Sequence, residues 1–298
     1  MSTPLRDYLL LGRVSNLPTV WSNCLAGAVL AGAGTLPLEG ASLPLFAAAL
    51  SVTFFYVGGM YLNDAYDAGF DAKHRPERPI PAGRISRERV FTLGFLLLLM
   101  GEAALFLPMA FDGPAPGPMP LLAGLLLGAV ILYYNHSHKG DPLSPLVMAC
   151  TRALVYVVAA GMVGASFTTG LWLGIAAMLC YLIGLTYTAK QENLAEVKNM
   201  WPLAFLAFPF ALTWQVPVGM GGGAAMFLLF LVWVLWSLSF LLRKQGRSIP
   251  RAVVSLIAGI SLLDGLMIAW AGGDPQLLLW ALGAFGLTLA FQRFIPGT

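Results

Sequence analysis

Ten long apolar runs constrain this chain more than any other feature. They cover roughly residues 17–35, 42–62, 90–110, 119–134, 143–164, 169–189, 201–218, 223–242, 252–271 and 275–292. A helix crossing the hydrocarbon of a bilayer needs about 20 apolar residues, and a barrel strand only about 10. These runs are of helix length, and a helix satisfies its own backbone N–H and C=O groups where no water can. Gly, Ala and Leu are mixed through them, as in membrane helices that approach closely at small residues. A mean hydropathy of +0.77 is too high for an ordinary soluble enzyme. The run 119–134 is short, and only "AGGDP" separates the last two.

The basic residues test the count. If the runs are ten spans, one side of the membrane holds Arg6, Arg13, Lys73, Arg75, Arg78, Arg84, Arg87 and Arg89. It also holds Lys139, with Arg152 just inside the next span, then Lys190, Lys198, Arg243, Lys244, Arg247, Arg251 and Arg293. That is all 17 Lys and Arg. The opposite loops carry Glu39, Asp112 and Asp274 and no Lys or Arg. The asymmetry predicts an all-α polytopic bundle of nine to ten spans with both termini cytoplasmic. The net charge of +3 then reports topology rather than nucleic-acid binding. Cys24, Cys150 and Cys180 each sit in an apolar run without metal spacing and read as packing residues. The first run has no cleavage-like end and reads as a span rather than a signal peptide.

Charge gathers instead in "YLNDAYDAGFDAKHRPERPIPAGRIS", Tyr61 to Ser86. Continuing the second apolar run as a helix puts Asn63, Asp64, Asp67 and Asp71 within an arc of about 100°. Three carboxylates on one face repel unless a cation sits among them. Oxygen donors without His or Cys suit a hard ion, Mg2+ before Zn2+, and Mg2+ commonly shares its site with a substrate phosphate. Lys73, Arg75 and Arg78 follow, where guanidinium forks suit phosphate oxygens. Pro76, Pro79 and Pro81 end the helix, Gly83 permits a turn, and Ser86 is a candidate cap for the next helix. A solvated helix end is the plain alternative, but charge at a membrane edge is costly unless used.

These residues resemble the first aspartate-rich motif of the UbiA superfamily of intramembrane prenyltransferases. "LPTVW" in the first run and "YYNHSHKGD" before the fifth resemble that family too. The resemblance covers most of the chain and implies one domain, 1–298, as a helical bundle around a central cavity. It implies a Mg2+-bound prenyl diphosphate held by two acidic motifs, and a hydrophobic acceptor that takes the prenyl group. Asp64, Asp67 and Asp71 are then metal ligands and catalytic residues, with Asn63 beside them. Lys73, Arg75, Arg78 and Lys139 are placed on the substrate's diphosphate.

The second motif departs from the family. "AKQENLAEVKNMWP" carries Glu192 and Glu196, i and i+4, where the family usually has aspartates. Glu192 and Glu196 are expected to complete the metal site, with Lys190 beside the substrate. Their longer arms change the geometry, so a catalytically altered carrier or binder of an isoprenoid is the alternative. This motif and "QRFIPGT" resemble the EboC-like branch of the superfamily, which implies a bacterial inner membrane. A phosphatidyl-alcohol transferase is disfavoured, because its DGxxAR segment is missing from the sequence.

Tyr134 and Tyr187 border the two charged segments and are candidates for cation–π contact with an allylic cation. Glu102, Arg152 and Asp264 lie within apolar runs and are expected to face the bundle interior, for structural bonding or proton handling. His74, His136 and His138 read as interfacial.

Overall fold

A computed structural model describes residues 4–32, 38–139, 141–164, 167–190, 200–214, 222–242 and 248–297. The described residues form eleven α-helices and short 3-10 turns, with no strand among them. In chain order these are α1 (Pro4–Leu11), α2 (Leu17–Ala31), α3 (Leu38–His74), α4 (Arg87–Ala104), α5 (Pro118–Ser137) and α6 (Ser144–Met162). Then come α7 (Thr169–Lys190), α8 (Phe208–Thr213), α9 (Gly223–Leu242), α10 (Ile249–Trp270) and α11 (Pro275–Gln292).

The described part of each apolar run falls mainly on helix. Seven of these helices are long and apolar enough to cross a membrane by themselves. The other three explain the difference. α2 has 15 residues, α4 begins with "RER", and the described part of the 201–218 run, 201–214, is a 3-10 segment, Trp201–Ala207, leading into α8. The chain is an integral membrane protein.

α10 is the centre of the bundle. It is buried on all sides, from Ala252 to Ala269, and packs on α2, α7, α9 and α11. A helix apolar all round belongs inside such a bundle. α2 lies between α10 and α6, and the close approach depends on Gly27. A Cβ there would meet the Tyr156 backbone at 2.6 Å from Cα and 2.7 Å from the carbonyl oxygen. α3 and α4 cross by a similar device, since a Cβ on Gly58 would lie 2.9 Å from the Gly94 carbonyl oxygen. Small residues are how membrane helices gain van der Waals contact without help from lipid. Gly27→Ala is therefore expected to cost about 1–3 kcal/mol by overpacking, read as a lower unfolding temperature in neutral detergent. An unchanged temperature would contradict this close packing.

α3 carries the charged segment beyond the apolar stretch without a break. It ends at His74, before Arg75-Pro76, as a residue preceding proline should. Ser86 caps α4, its Oγ accepting from the Arg89 N–H at 3.3 Å. The intervening loop turns at Gly83 (φ 68°). It is pinned to α1 by Arg84, whose Nε donates to both carboxylate oxygens of Asp7 at 3.0 Å.

Candidate functional site

The end of α3 presents Asn63, Asp64, Asp67 and Asp71 along one face, as their helical phase requires. The carboxylates do not crowd together; each faces a cation. Arg78 folds back from the loop, and its Nη1 lies 2.9 Å from Asp71 and 3.3 Å from Asp64. Arg13 reaches the same carboxylate, Nη2 to Asp64 Oδ1 at 3.3 Å, and lies 3.4 Å from Asn63 Oδ1. Asp67 meets a different pair of basic groups. Lys139 Nζ is 2.7 Å from it and His138 Nε2 is 3.5 Å. The expected single ring of carboxylates is thus divided between two sets of basic groups. Desolvation explains the arrangement. Asp64 and Asp71 side chains are only 8% and 4% exposed, and buried carboxylates require compensating charge.

Among the described residues no three His, Cys, Asp or Glu side chains form a ready-made metal cage. The donor chemistry nevertheless fits Mg2+. Three carboxylates and the Asn63 amide offer oxygen donors on one face, and Asn63 is fixed by donating to Asn135 Oδ1 at 3.1 Å. Glu192 and Glu196 lie outside the described residues.

The remaining expected substrate-side residues sit as follows. Tyr134 lines the cavity below the carboxylates, with the His138 ring stacked on it at 5.0 Å. Lys73 is exposed in the last turn of α3, and Arg75 follows it, half buried. Lys190 turns to a backbone carbonyl, donating to Asp141 O at 2.9 Å. Tyr187 does not line the cavity; Leu182, Leu185, Thr186 and Ala189 present α7 to it instead.

Sequence reasoning missed three members of the site. Arg13 served only as a topology marker. It takes left-handed backbone, φ 42° and ψ 46°, a conformation that costs a non-glycine residue about 1 kcal/mol or more. His138 was assigned to the interface, and Asn135 was not singled out within "YYNHSHKGD". Asn135 bridges two elements, its Nδ2 donating to Gly59 O at 3.0 Å.

A cavity of about 230 Å³ opens beneath this cluster. Val52, Phe55, Leu127, Ile131 and Ile260 form apolar walls, and Arg13, Asn135, Thr151 and Arg152 supply polar groups. The interior acids occupy different places. Asp264 is fully buried on α10, accepting from Ser22 Oγ at 2.5 Å, Asn23 Nδ2 at 2.7 Å and the Tyr156 hydroxyl at 2.5 Å. Glu102 Oε2 is buried with no hydrogen-bond partner among the described residues.

The fold and the site together define a polytopic helical membrane protein with a cation-edged acidic cluster over a largely apolar cavity. The sequence matches the model of the UbiA prenyltransferase family over residues 20–239. The chain belongs to that family. It is 29% identical over 300 residues to the digeranylgeranylglyceryl phosphate synthase of Methanopyrus kandleri, covering 96% of this chain and 98% of the relative. It is 30% identical over 218 residues to the synthase of that name from Methanosarcina mazei, covering 67% of this chain and 68% of the relative. Among solved structures it is similar to a UbiA homologue from Archaeoglobus fulgidus bound to GPP and Mg2+. The TM-score is 0.59 at 14% identity, with 89% of this chain and 98% of that chain covered. These relatives are archaeal and lend no support to the bacterial membrane expected from the sequence.

Proposed function

We propose that this protein is a Mg2+-dependent intramembrane prenyltransferase that moves an isoprenyl group from a prenyl diphosphate to a hydrophobic acceptor. One observation carries the reading: carboxylates on one helix face, already interleaved with Arg13, Arg78 and Lys139, stand over an apolar cavity. The homologue bound to GPP and Mg2+ and the names of the relatives support it. The whole of 1–298 is read as one such domain, with the acidic mouth and both termini on the cytoplasmic side.

In the transfer, the C1–O bond of the prenyl diphosphate breaks and its electron pair leaves with the diphosphate. A bond forms from C1 to the acceptor's nucleophilic atom, whose proton passes to the released diphosphate. Asp64, Asp67 and Asp71, with Glu192 and Glu196, would hold the metal. Bound Mg2+ would neutralise charge on the leaving diphosphate.

The chain's own residues do the rest. Arg13, Arg78 and Lys139 exchange their carboxylate partners for phosphate oxygens, as charge-assisted hydrogen bonds allow. Lys73, Arg75 and Lys190 add positive potential at the rim. Tyr134 offers its ring face to the allylic carbon as positive charge grows there. The apolar walls hold the chain and keep water from the cation.

Geranyl diphosphate is expected to bind the purified protein at least about tenfold more tightly with Mg2+ than with EDTA, and to release diphosphate when an acceptor is supplied. Calorimetry and a diphosphate assay read the two. Equal binding in EDTA would sink the metal-site reading, and tight Mg2+-dependent binding without release under any acceptor would favour a carrier.

A further inference from the structure

The cavity is shallow. On α3 it runs from Met60 near the carboxylates down to Val52, on α5 from Asn135 to Leu127, and on α10 from Val253 to Ile260. These ends lie eight, eight and seven positions apart. At about 1.5 Å of rise per residue, the depth is about 10–12 Å.

Among the described residues the lower end is closed. Val20, Val52, Leu127, Val155 and Ile260 line it from five helices, and all are buried. Arg152 bonds to Asn23 and Thr19 on α2 at one wall, so the floor itself stays apolar. One turn beyond Ile260 stands Asp264, whose carboxylate is taken up by Ser22, Asn23 and Tyr156. One turn beyond Leu127, the Glu102 carboxylate packs on Gly124. α2 and α6 touch at Gly27 and Tyr156 and leave no gap between them at that depth. Phe55 blocks the side toward α4 and α5. A Cβ added at Gly101 would lie 2.8 Å from its ring, and one added at Gly128 would lie 3.5 Å from it. The ring therefore fills the space where these three helices converge.

Hydrocarbon at interior packing density takes about 20–25 Å³ per carbon. A cavity of about 230 Å³ is then filled by about ten carbons. Depth gives the same limit. An isoprene unit places four carbons in line and spans about 5 Å with C–C bonds of about 1.5 Å. Two units reach the floor, and further units have nowhere to go.

We propose that this cavity is a ruler that limits the prenyl donor to about two isoprene units, with Phe55 and Leu127 as the stop. The proposal rests on the prenyl-transfer reading and adds the chain length of the donor. A longer chain has to displace packed side chains or leave its diphosphate short of Asp64 and Asp67. The first overpacks the core, and the second misplaces the reacting carbon.

The test uses the full chain in lipid nanodiscs with Mg2+ and three probes: geranyl, farnesyl and geranylgeranyl diphosphate. Affinities are expressed against mole fraction in the lipid, which removes the tails' own preference for the bilayer. Wild type is expected to bind the geranyl compound at least about tenfold more tightly than either longer one, the scale on which overfilling a packed site is penalised. Equal or tighter binding of geranylgeranyl diphosphate overturns the proposal. Phe55→Ala removes a phenyl ring, close to the bulk of one isoprene unit. It is expected to bring farnesyl within about threefold of geranyl diphosphate while geranylgeranyl stays behind. An unchanged preference overturns the proposal. If Phe55→Ala does not fold, Phe55→Leu decides. Its farnesyl-to-geranyl affinity ratio is expected to rise at least about threefold, and a ratio equal to wild type overturns the proposal. Failure of wild type to bind any of the three in Mg2+ would instead sink the prenyl-transfer reading. Geraniol, farnesol and geranylgeraniol then read the ruler without metal or diphosphate; the same order is expected, and no preference for geraniol overturns it.

Discussion

Asp67→Asn is expected to lower diphosphate release by about 10²–10³-fold, on the scale of losing one preorganised electrostatic contact to a transition state. The substitution keeps the shape of the side chain and removes its charge. In the structure that charge serves Lys139 at 2.7 Å and His138 at 3.5 Å. Lys139 is 44% exposed, so this pair adds at most about 1 kcal/mol to stability. Stability and activity should therefore separate: a small change in unfolding temperature beside a large fall in rate. The rate should also need more Mg2+ to saturate, since one of three carboxylates on the face has become neutral. The measurement is a Mg2+ titration of diphosphate release with geranyl diphosphate in both proteins, alongside thermal unfolding. A rate within twofold of wild type would remove Asp67 from the metal site. A large loss of unfolding temperature would make its role structural.

What the sequence made legible were features carried by local spacing. The apolar runs fall on helix where they are described, and seven have the length and composition that a bilayer demands. The phase of Asn63, Asp64, Asp67 and Asp71 followed from the helix repeat, and α3 continues through them without interruption. The Ser86 cap is a three-residue device and was equally visible. Features that depend on which helix faces which were not legible. Arg13 meets Asp64 across 51 positions, through a backbone turn that no residue type in "LGRVSN" announces. Arg152 meets Asn23 across 129 positions, and Asn23 meets Asp264 across 241. Helical periodicity assigns a residue to a face, but packing chooses that face's neighbour. The same limit explains Tyr187: its segment borders the charged loop in sequence, while Thr186 and Ala189 of that helix line the cavity.

That network bears the second large effect. Asp264→Ala is expected to destabilise the protein by about 3–5 kcal/mol, the cost of leaving three buried donors without their shared acceptor. The site is fully buried, so water cannot replace the lost acceptor. The Tyr156 hydroxyl, Ser22 Oγ and Asn23 Nδ2 all end on this carboxylate and would be left without it, each unmade bond costing about 1–3 kcal/mol before the site relaxes. The damage should spread along a defined path. Tyr156 also meets Gly27 at the α2–α6 contact, and Asn23 holds Arg152, so both the packing and the cavity wall share this anchor. Asp264→Asn retains one carbonyl oxygen as acceptor and should cost less than Asp264→Ala. Tyr156→Phe removes one donor and should cost least. In a double-mutant cycle, Tyr156→Phe should be nearly silent in an Asp264→Ala background, because the partner is already gone. Thermal unfolding of the five proteins, wild type, the three single variants and the double variant, in one detergent reads the whole series. Additive effects of the two substitutions, or an Asp264→Ala cost below about 1 kcal/mol, would mean that the carboxylate does not organise α2, α6 and α10 around it.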